Sequence, residues 1–146
     1  MGKLLLTCTD VGLTGIYMNR EAPAYPVEHP VLDQTVQWLD AYFRGEVPAV
    51  EVPLCLEGTA FQKQIWKFLL AIPYGKTRTY GEIAREMAAF SGKEKMSAQA
   101  IGQAVGANPI GIIIPCHRVI GAGGKLTGYA GGLDKKRFLL THEKAL

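Results

Sequence analysis

The chain has 146 residues, 48% of them hydrophobic and 20% charged, with a formal net charge of +3; that is enough for one good core, or for a small domain packed beside a larger one. No apolar run approaches the roughly 20 residues of a membrane helix, and the leucines after Lys3 give way to Thr7, Thr9 and Asp10 too soon for a signal segment. Three widely spaced cysteines, Cys8, Cys55 and Cys116, do not suggest a disulfide framework and agree with a reducing, cytoplasmic setting.

From Lys3 to Met18 apolar residues alternate around Asp10-Val11-Gly12, which predicts a β-hairpin with Cys8 in its apolar strand. Glu21 to Pro30 contains three prolines and reads as an irregular connection, with His29 a surface turn residue. Leu32, Val36, Leu39 and Phe43 predict a helix ended by Gly45, and the β-branched stretch Val50–Leu56 can add a strand to the hairpin. Thr59 with Gln62, and Thr79 with Glu82, are capping boxes that open two helices; the first carries Phe61, Ile65, Phe68, Leu69 and Ile72 on one face beside Trp66, and ends at Pro73-Tyr74-Gly75-Lys76. Ser97 caps a further helix from Ala98 to Val105, stopped by Gly106. Two helices joined by a short connection have the outline of a helix-turn-helix. The second is thin, with Ala98, Ala100, Gly102, Ala104 and Gly106, and suits either a tight helix–helix contact or close approach to another surface. Leu126–Gly132 is too glycine-rich for regular structure and reads as a loop able to wrap a ligand. Asp134 opens the last helix, which carries Lys135-Lys136-Arg137 and ends at His142-Glu143.

The charge divides with the chain. Residues 1–59 hold three Lys/Arg against eight Asp/Glu (−5), and residues 60–146 hold thirteen against five (+8). The basic half is either a solvated face or one that meets a polyanion. The expected architecture is α+β: a small N-terminal α/β unit over residues 1–57, then a mainly helical domain with a helix-turn-helix over residues 58–146, and no further fused domain. Cys8, His29 and Cys55 lack the close paired spacing of a zinc site, so no metal and no cofactor is expected.

The chemistry concentrates at Ile112-Ile113-Ile114-Pro115-Cys116-His117-Arg118. An apolar run broken by proline predicts a short buried strand that ends at Pro115. A thiol and an imidazole follow at once. Cysteine is a strong nucleophile only as thiolate, and a neighbouring base makes it one; a free cysteine beside a strand can equally be a small hydrophobe. Asn108-Pro109 and Gly121-Ala122-Gly123-Gly124 supply turns on both flanks.

Asn-Pro, a short apolar run, Pro-Cys-His-Arg-Val and then Gly resemble the active-site signature of the O6-alkylguanine-DNA alkyltransferases, also called methylated-DNA–protein-cysteine methyltransferases, and the likeness extends from about Thr59 to Glu143. It implies direct repair of double-stranded DNA by a monomer, with the alkyl group of O6-alkylguanine moved irreversibly to Cys116, and O4-alkylthymine a further candidate substrate. The same resemblance makes His117 the base, linked to Cys116 through a water, and Glu143 the carboxylate that orients it. Tyr80 matches the tyrosine that crowds the 3′ phosphate and donates toward guanine N3, and Asn108 the residue that orders the turn before the active cysteine. Tyr129, Ala130 and Gly131 match the loop that holds the flipped base, and the thin helix with Ala100 and Gly102 the element that enters the minor groove. Arg118 is expected to be a structural ion-pair partner. At the position where the family has an arginine finger this chain has Gln99, which implies weaker base extrusion and a lower salt dependence. Two other classes compete: a non-enzymatic alkyltransferase-like protein that binds damaged guanine, and a Cys-His-Glu thiol hydrolase.

Overall fold

The computed structural model describes residues 1–21 and 27–146, in two units, Met1–Glu57 and Gly58–Leu146. In the first, the alternating segment pairs with itself as β1 (Leu4–Cys8) and β2 (Leu13–Met18), antiparallel, with Leu6 opposite Ile16 and Cys8 opposite Leu13. Helix α1 (Pro30–Phe43) packs against both strands. Proline suits its first turn because the N–H it lacks has no helical partner there. His29 is the cap, not a loose turn residue: its Nδ1 accepts from the Val31 N–H (3.1 Å) and its Nε2 meets Asp10 (3.1 Å). The prolines expected to form an irregular connection fall mostly at residues 22–26, outside the described residues.

The buried face of α1 is Val31, Thr35, Leu39 and Tyr42, one position away from the expected Leu32, Val36 and Phe43, and Val36 is 47% exposed. Thr35 tolerates full burial because its hydroxyl donates to the Val31 carbonyl (2.7 Å), which satisfies the polar atom within the helix. The strand expected over Val50–Leu56 reduces to one parallel bridge between Leu54 and Leu13. Pro53 can only accept, from the Leu13 N–H (2.8 Å), and so ends the ladder it starts. Gly12 permits this approach, since a Cβ there would lie 2.7 Å from the Pro53 oxygen.

In the second unit the capping boxes form as expected. Thr59 opens α2 (Ala60–Leu70) and Thr79 opens α3 (Tyr80–Ser91), each with reciprocal side-chain and backbone bonds to the residue three ahead. Gly92, at φ +69°, ends α3 in the left-handed region that suits glycine. Ser97 caps α4 (Ala98–Gly106) through the Ala100 N–H. Ile65, Trp66 and Leu69 of α2 are buried, and the Trp66 indole donates to the Ala104 carbonyl (2.9 Å). That bond hooks α4 onto the scaffold by its backbone. Ile101, Ala104 and Val105 form the buried side of α4, leaving Gln99, Gln103 and Gly106 exposed. A short parallel pair, β3 (Arg78–Thr79) with β4 (Val119–Ile120), joins the start of α3 to the cysteine segment. Helix α5 (Leu133–His142) completes the unit, entered from Gly132 at φ +100°; glycine, not Asp134, is its cap.

The main departure from expectation is Ile112–Ile114, which is a turn and not a strand. The Ile114 N–H donates to the Ile110 carbonyl (3.0 Å), the Ile113 N–H donates to the Gly111 carbonyl (2.8 Å), and Ile112 has φ +71°. A left-handed backbone costs a β-branched residue on the order of 1–3 kcal/mol. It persists because Ile110, Ile112 and Ile114 are fully buried, and burial of one such side chain contributes about 1.5–3 kcal/mol. An uninterrupted apolar run reports burial and does not distinguish a strand from a buried turn.

Candidate active site

Asn108 holds the isoleucine turn from inside. Its Oδ1 accepts from the Ile110 N–H (2.9 Å) and its Nδ2 donates to the Ile114 carbonyl (2.9 Å). Pro115 then leads into a single 3₁₀ turn, Cys116–Arg118, immediately before β4. Cys116 is partly exposed, whereas His117 is completely buried and Arg118 is 7% exposed.

The organising group is Glu143, 3% exposed at the end of α5. Its Oε2 receives His117 Nε2 at 2.6 Å and Arg118 Nη2 at 3.1 Å; its Oε1 receives Arg118 Nε at 2.8 Å and the Gly75 N–H at 3.1 Å. Arg118 Nη1 donates to the Ile72 carbonyl (2.7 Å). All four acceptor directions of the carboxylate are therefore filled. Arg118 already neutralises Glu143, so the carboxylate orients His117 without forcing a proton onto it. Burial pushes the His117 pKa down, against the opposing pull of Glu143, and the imidazole is neutral. Nε2 faces an acceptor and is assigned the hydrogen. Nδ1 then carries a free lone pair, and it is buried without a partner among the described residues. It is left as an unused hydrogen-bond acceptor. Desolvation likewise pushes the Cys116 thiol up, opposed first by a hydrogen bond from Asn108, so the resting sulfur holds its proton.

Two tyrosines border the same sulfur electrostatically. Tyr80, at the start of α3, donates from Oη to the Thr127 carbonyl (3.2 Å), and burial raises its pKa. The Tyr129 hydroxyl is buried without a partner among the described residues, and its pKa is also raised by burial. Both phenols are protonated donors. The structure thus gathers Cys116, His117, Glu143, Asn108, Tyr80 and Tyr129. Ala130 is exposed and Gly131 partly so, in the irregular loop before α5. Gln99, Ala100 and Gly102 sit apart on α4, where Gln99 is exposed. Lys136, which the motif alone does not single out, also belongs to this region. It is fully buried and donates from Nζ to the carbonyls of Val119 (2.6 Å), Thr127 (3.0 Å) and Gly128 (3.3 Å). A signal existed: Lys136, Leu139, Leu140 and Glu143 share the i, i+3, i+4, i+7 stripe that faces a core. Among the described residues no group of three His, Cys, Asp or Glu is arranged to hold a metal, and no helix is long and apolar enough to cross a membrane.

The site and fold define a class: an α+β protein in which a cysteine precedes a buried histidine, the histidine held by a carboxylate that it shares with an arginine. Residues 1–56 match the ribonuclease-like domain of 6-O-methylguanine DNA methyltransferase, and residues 60–145 match the DNA binding domain of the same family. The chain belongs to the 6-O-methylguanine DNA methyltransferase family. It is 59% identical to a methylated-DNA–protein-cysteine methyltransferase of Methanosarcina acetivorans over 98% of this chain and 92% of the relative. It is 56% identical to the Mycobacterium bovis protein of the same description, over 75% of this chain and 64% of that protein's length. The crystal structure of Mycobacterium tuberculosis OGT in complex with DNA superposes with a TM-score of 0.81 at 47% identity, covering 97% of this chain and 86% of the other.

Proposed function

We propose that this protein repairs double-stranded DNA by moving the alkyl group of O6-alkylguanine to Cys116, once per molecule. One observation carries the reading: a buried imidazole whose Nε2 meets Glu143 and whose Nδ1 has no partner among the described residues, in the residue that directly follows Cys116. The Cys116 proton passes to His117 Nδ1 through a bridging water. The thiolate attacks the alkyl carbon in line, the C–S bond forms and the C–O6 bond breaks. Guanine leaves with the electron pair and takes a proton at N3 from Tyr80, which neutralises the developing anion. The thioether is stable and nothing returns the thiol. The test is incubation with a duplex containing O6-methylguanine, followed by peptide mass mapping. A methyl group on Cys116 is the expected result. Binding without transfer would instead indicate a damage-recognition module, and neither outcome would leave a thiol hydrolase.

Because duplex chemistry requires a flipped base, some element must enter the groove, and α3–α4 as a helix-turn-helix supplies it. Support comes from the glycines of α4. A Cβ built on Gly102 or Gly106 meets nothing within 4 Å, so no internal contact demands glycine at either position. A helix-interior glycine costs about 1 kcal/mol relative to alanine, and that loss is explained by a partner that must come close. Gly102→Ala should therefore raise the melting temperature by a few degrees while weakening duplex affinity about tenfold. Unchanged affinity in a binding titration would remove α4 from the interface.

Gln99 lies on the exposed side of the same helix, where the flipped base leaves a gap in the stack. Its amide can bond the orphaned partner base, but it is shorter than arginine and uncharged. Gln99→Arg should speed repair and steepen the salt dependence of binding by about one phosphate contact. Single-turnover rates at several salt concentrations provide the check, and an unchanged rate would deny position 99 a finger role.

A further inference from the structure

The buried Lys136 has no place in the alkyl-transfer chemistry set out above, on which the following rests. An ammonium has three hydrogens, and here each finds a backbone carbonyl: Val119 beside the cysteine turn, and Thr127 and Gly128 in the irregular loop. Burying a lone cation is expensive, and full pairing of its donors is the condition under which it is retained. A structural staple could be built from neutral groups at lower cost. The charge itself therefore calls for an explanation, and the surroundings offer one. The Thr127 carbonyl that accepts from Lys136 also accepts from Tyr80 Oη, and Nζ lies 5.7 Å from the centroid of the Tyr80 ring.

We infer that Lys136 is a positioning residue for alkyl transfer, which fixes the Thr127 carbonyl and the cation face presented to Tyr80, so that the phenol is aimed and able to give up its proton to the departing base. The bookkeeping of hydrogen bonds is consistent with this. When Tyr80 turns from Thr127 to guanine N3, the Thr127 carbonyl keeps the Lys136 donor and is not left unpaired. As the phenol loses its proton, the adjacent ammonium stabilises the phenolate; no proton leaves Lys136. Desolvation lowers the Lys136 pKa, while charge on Cys116 raises it. The ammonium and the thiolate therefore reinforce one another, and the cation serves both ends of the displacement.

The experiment is a double-mutant cycle in single-turnover methyl transfer from an O6-methylguanine duplex, with duplex affinity measured in parallel. Lys136→Met should lower the saturating rate at least about tenfold in the wild-type background but less than about threefold in a Tyr80→Phe background, because the two groups act as a unit. Affinity for undamaged duplex should not change, since Lys136 is 0% exposed. Equal effects in the two backgrounds would overturn the inference, because a loop staple that acts independently of Tyr80 multiplies through. So would a wild-type rate for the single variant. Should Lys136→Met fail to fold, Lys136→Arg keeps a cation with different reach, and the same comparison of the two backgrounds decides. If the wild-type protein itself leaves Cys116 unmodified, the alkyl-transfer reading fails first, and the mass map shows that separately.

Discussion

Replacing Cys116 with serine should abolish alkyl transfer while leaving affinity for duplex DNA within about twofold of wild type. The hydroxyl is nearly the same size as the thiol, but its conjugate base is far less accessible to an imidazole, so the proton transfer that generates the nucleophile stops. No adduct should be seen after about a thousand times the wild-type half-time. The same variant reports on the resting thiol. Burial raises the Cys116 pKa, so the folded protein binds this proton more tightly than the unfolded chain. Its contribution to stability is present below the ordinary thiol range, near pH 8.5, and is lost as pH rises through the raised folded value. Thermal melts of wild type should therefore decline more steeply than those of Cys116→Ser as pH rises above about 8.5. Parallel curves would mean that the sulfur is not held protonated. The transfer rate should rise over the same alkaline range, as the proton becomes easier to remove. On the acid side His117 acts in the opposite sense. Its pKa is pushed down by burial, so stability present above the unfolded imidazole range, about 6.5, is lost as pH falls below it.

Glu143→Gln should be the most damaging change outside the nucleophile, and it should harm stability and chemistry together. Four hydrogens point at the carboxylate, from His117, Gly75 and two positions on Arg118. A carboxamide offers one oxygen and one NH2, so one pair of those donors must face another donor. In either orientation the buried Arg118 guanidinium loses its counter-charge, which costs about 3–5 kcal/mol; if the NH2 faces Arg118 Nε and Gly75, two donors also point at a donor. If it faces His117, the ring must accept at Nε2, and the hydrogen moves to Nδ1, which can then no longer take the thiol proton. Holding the wrong tautomer in a comparable triad costs about 10⁴ in rate. The expected result is a melting temperature lower by about 10 °C or more and a transfer rate down by roughly 10²–10⁴. A variant that melts and transfers like wild type would show that Glu143 neither supports the fold here nor orients the base.

Much of this site was legible from residue order, and the reasons are local. Thr59 with Gln62 and Thr79 with Glu82 are reciprocal caps within three residues, so the starts of α2 and α3 needed no tertiary information. Pro115-Cys116-His117-Arg118 places a thiol, an imidazole and a guanidinium side by side, and the resemblance supplies Glu143 as the carboxylate expected to join them. What escaped was decided by partners distant in sequence. The isoleucines at 112–114 form a turn because Asn108 grips both ends of it, a bond pattern that hydrophobicity cannot express. Lys136 stands among three consecutive bases, and only its spacing from Leu139 and Leu140 distinguishes it from Lys135 and Arg137. Thr35 held a core position that an apolar stripe assigns to Val36. In each case a hydrogen bond overrode the pattern of side-chain polarity.

The open space around Gly102 has a practical consequence for anyone seeking a hardier version of this protein. Selection on heat resistance alone would favour a methyl group there, since the isolated chain has only something to gain from it. On the role proposed for α4, the survivors would be well folded and full of intact thiol, yet slow to find a lesion, and a conventional assay of purity or thermal tolerance would rank them above the parent. Heat resistance is better sought on the hairpin and α1 of the first unit, with every candidate scored on damaged duplex before it is scored on temperature.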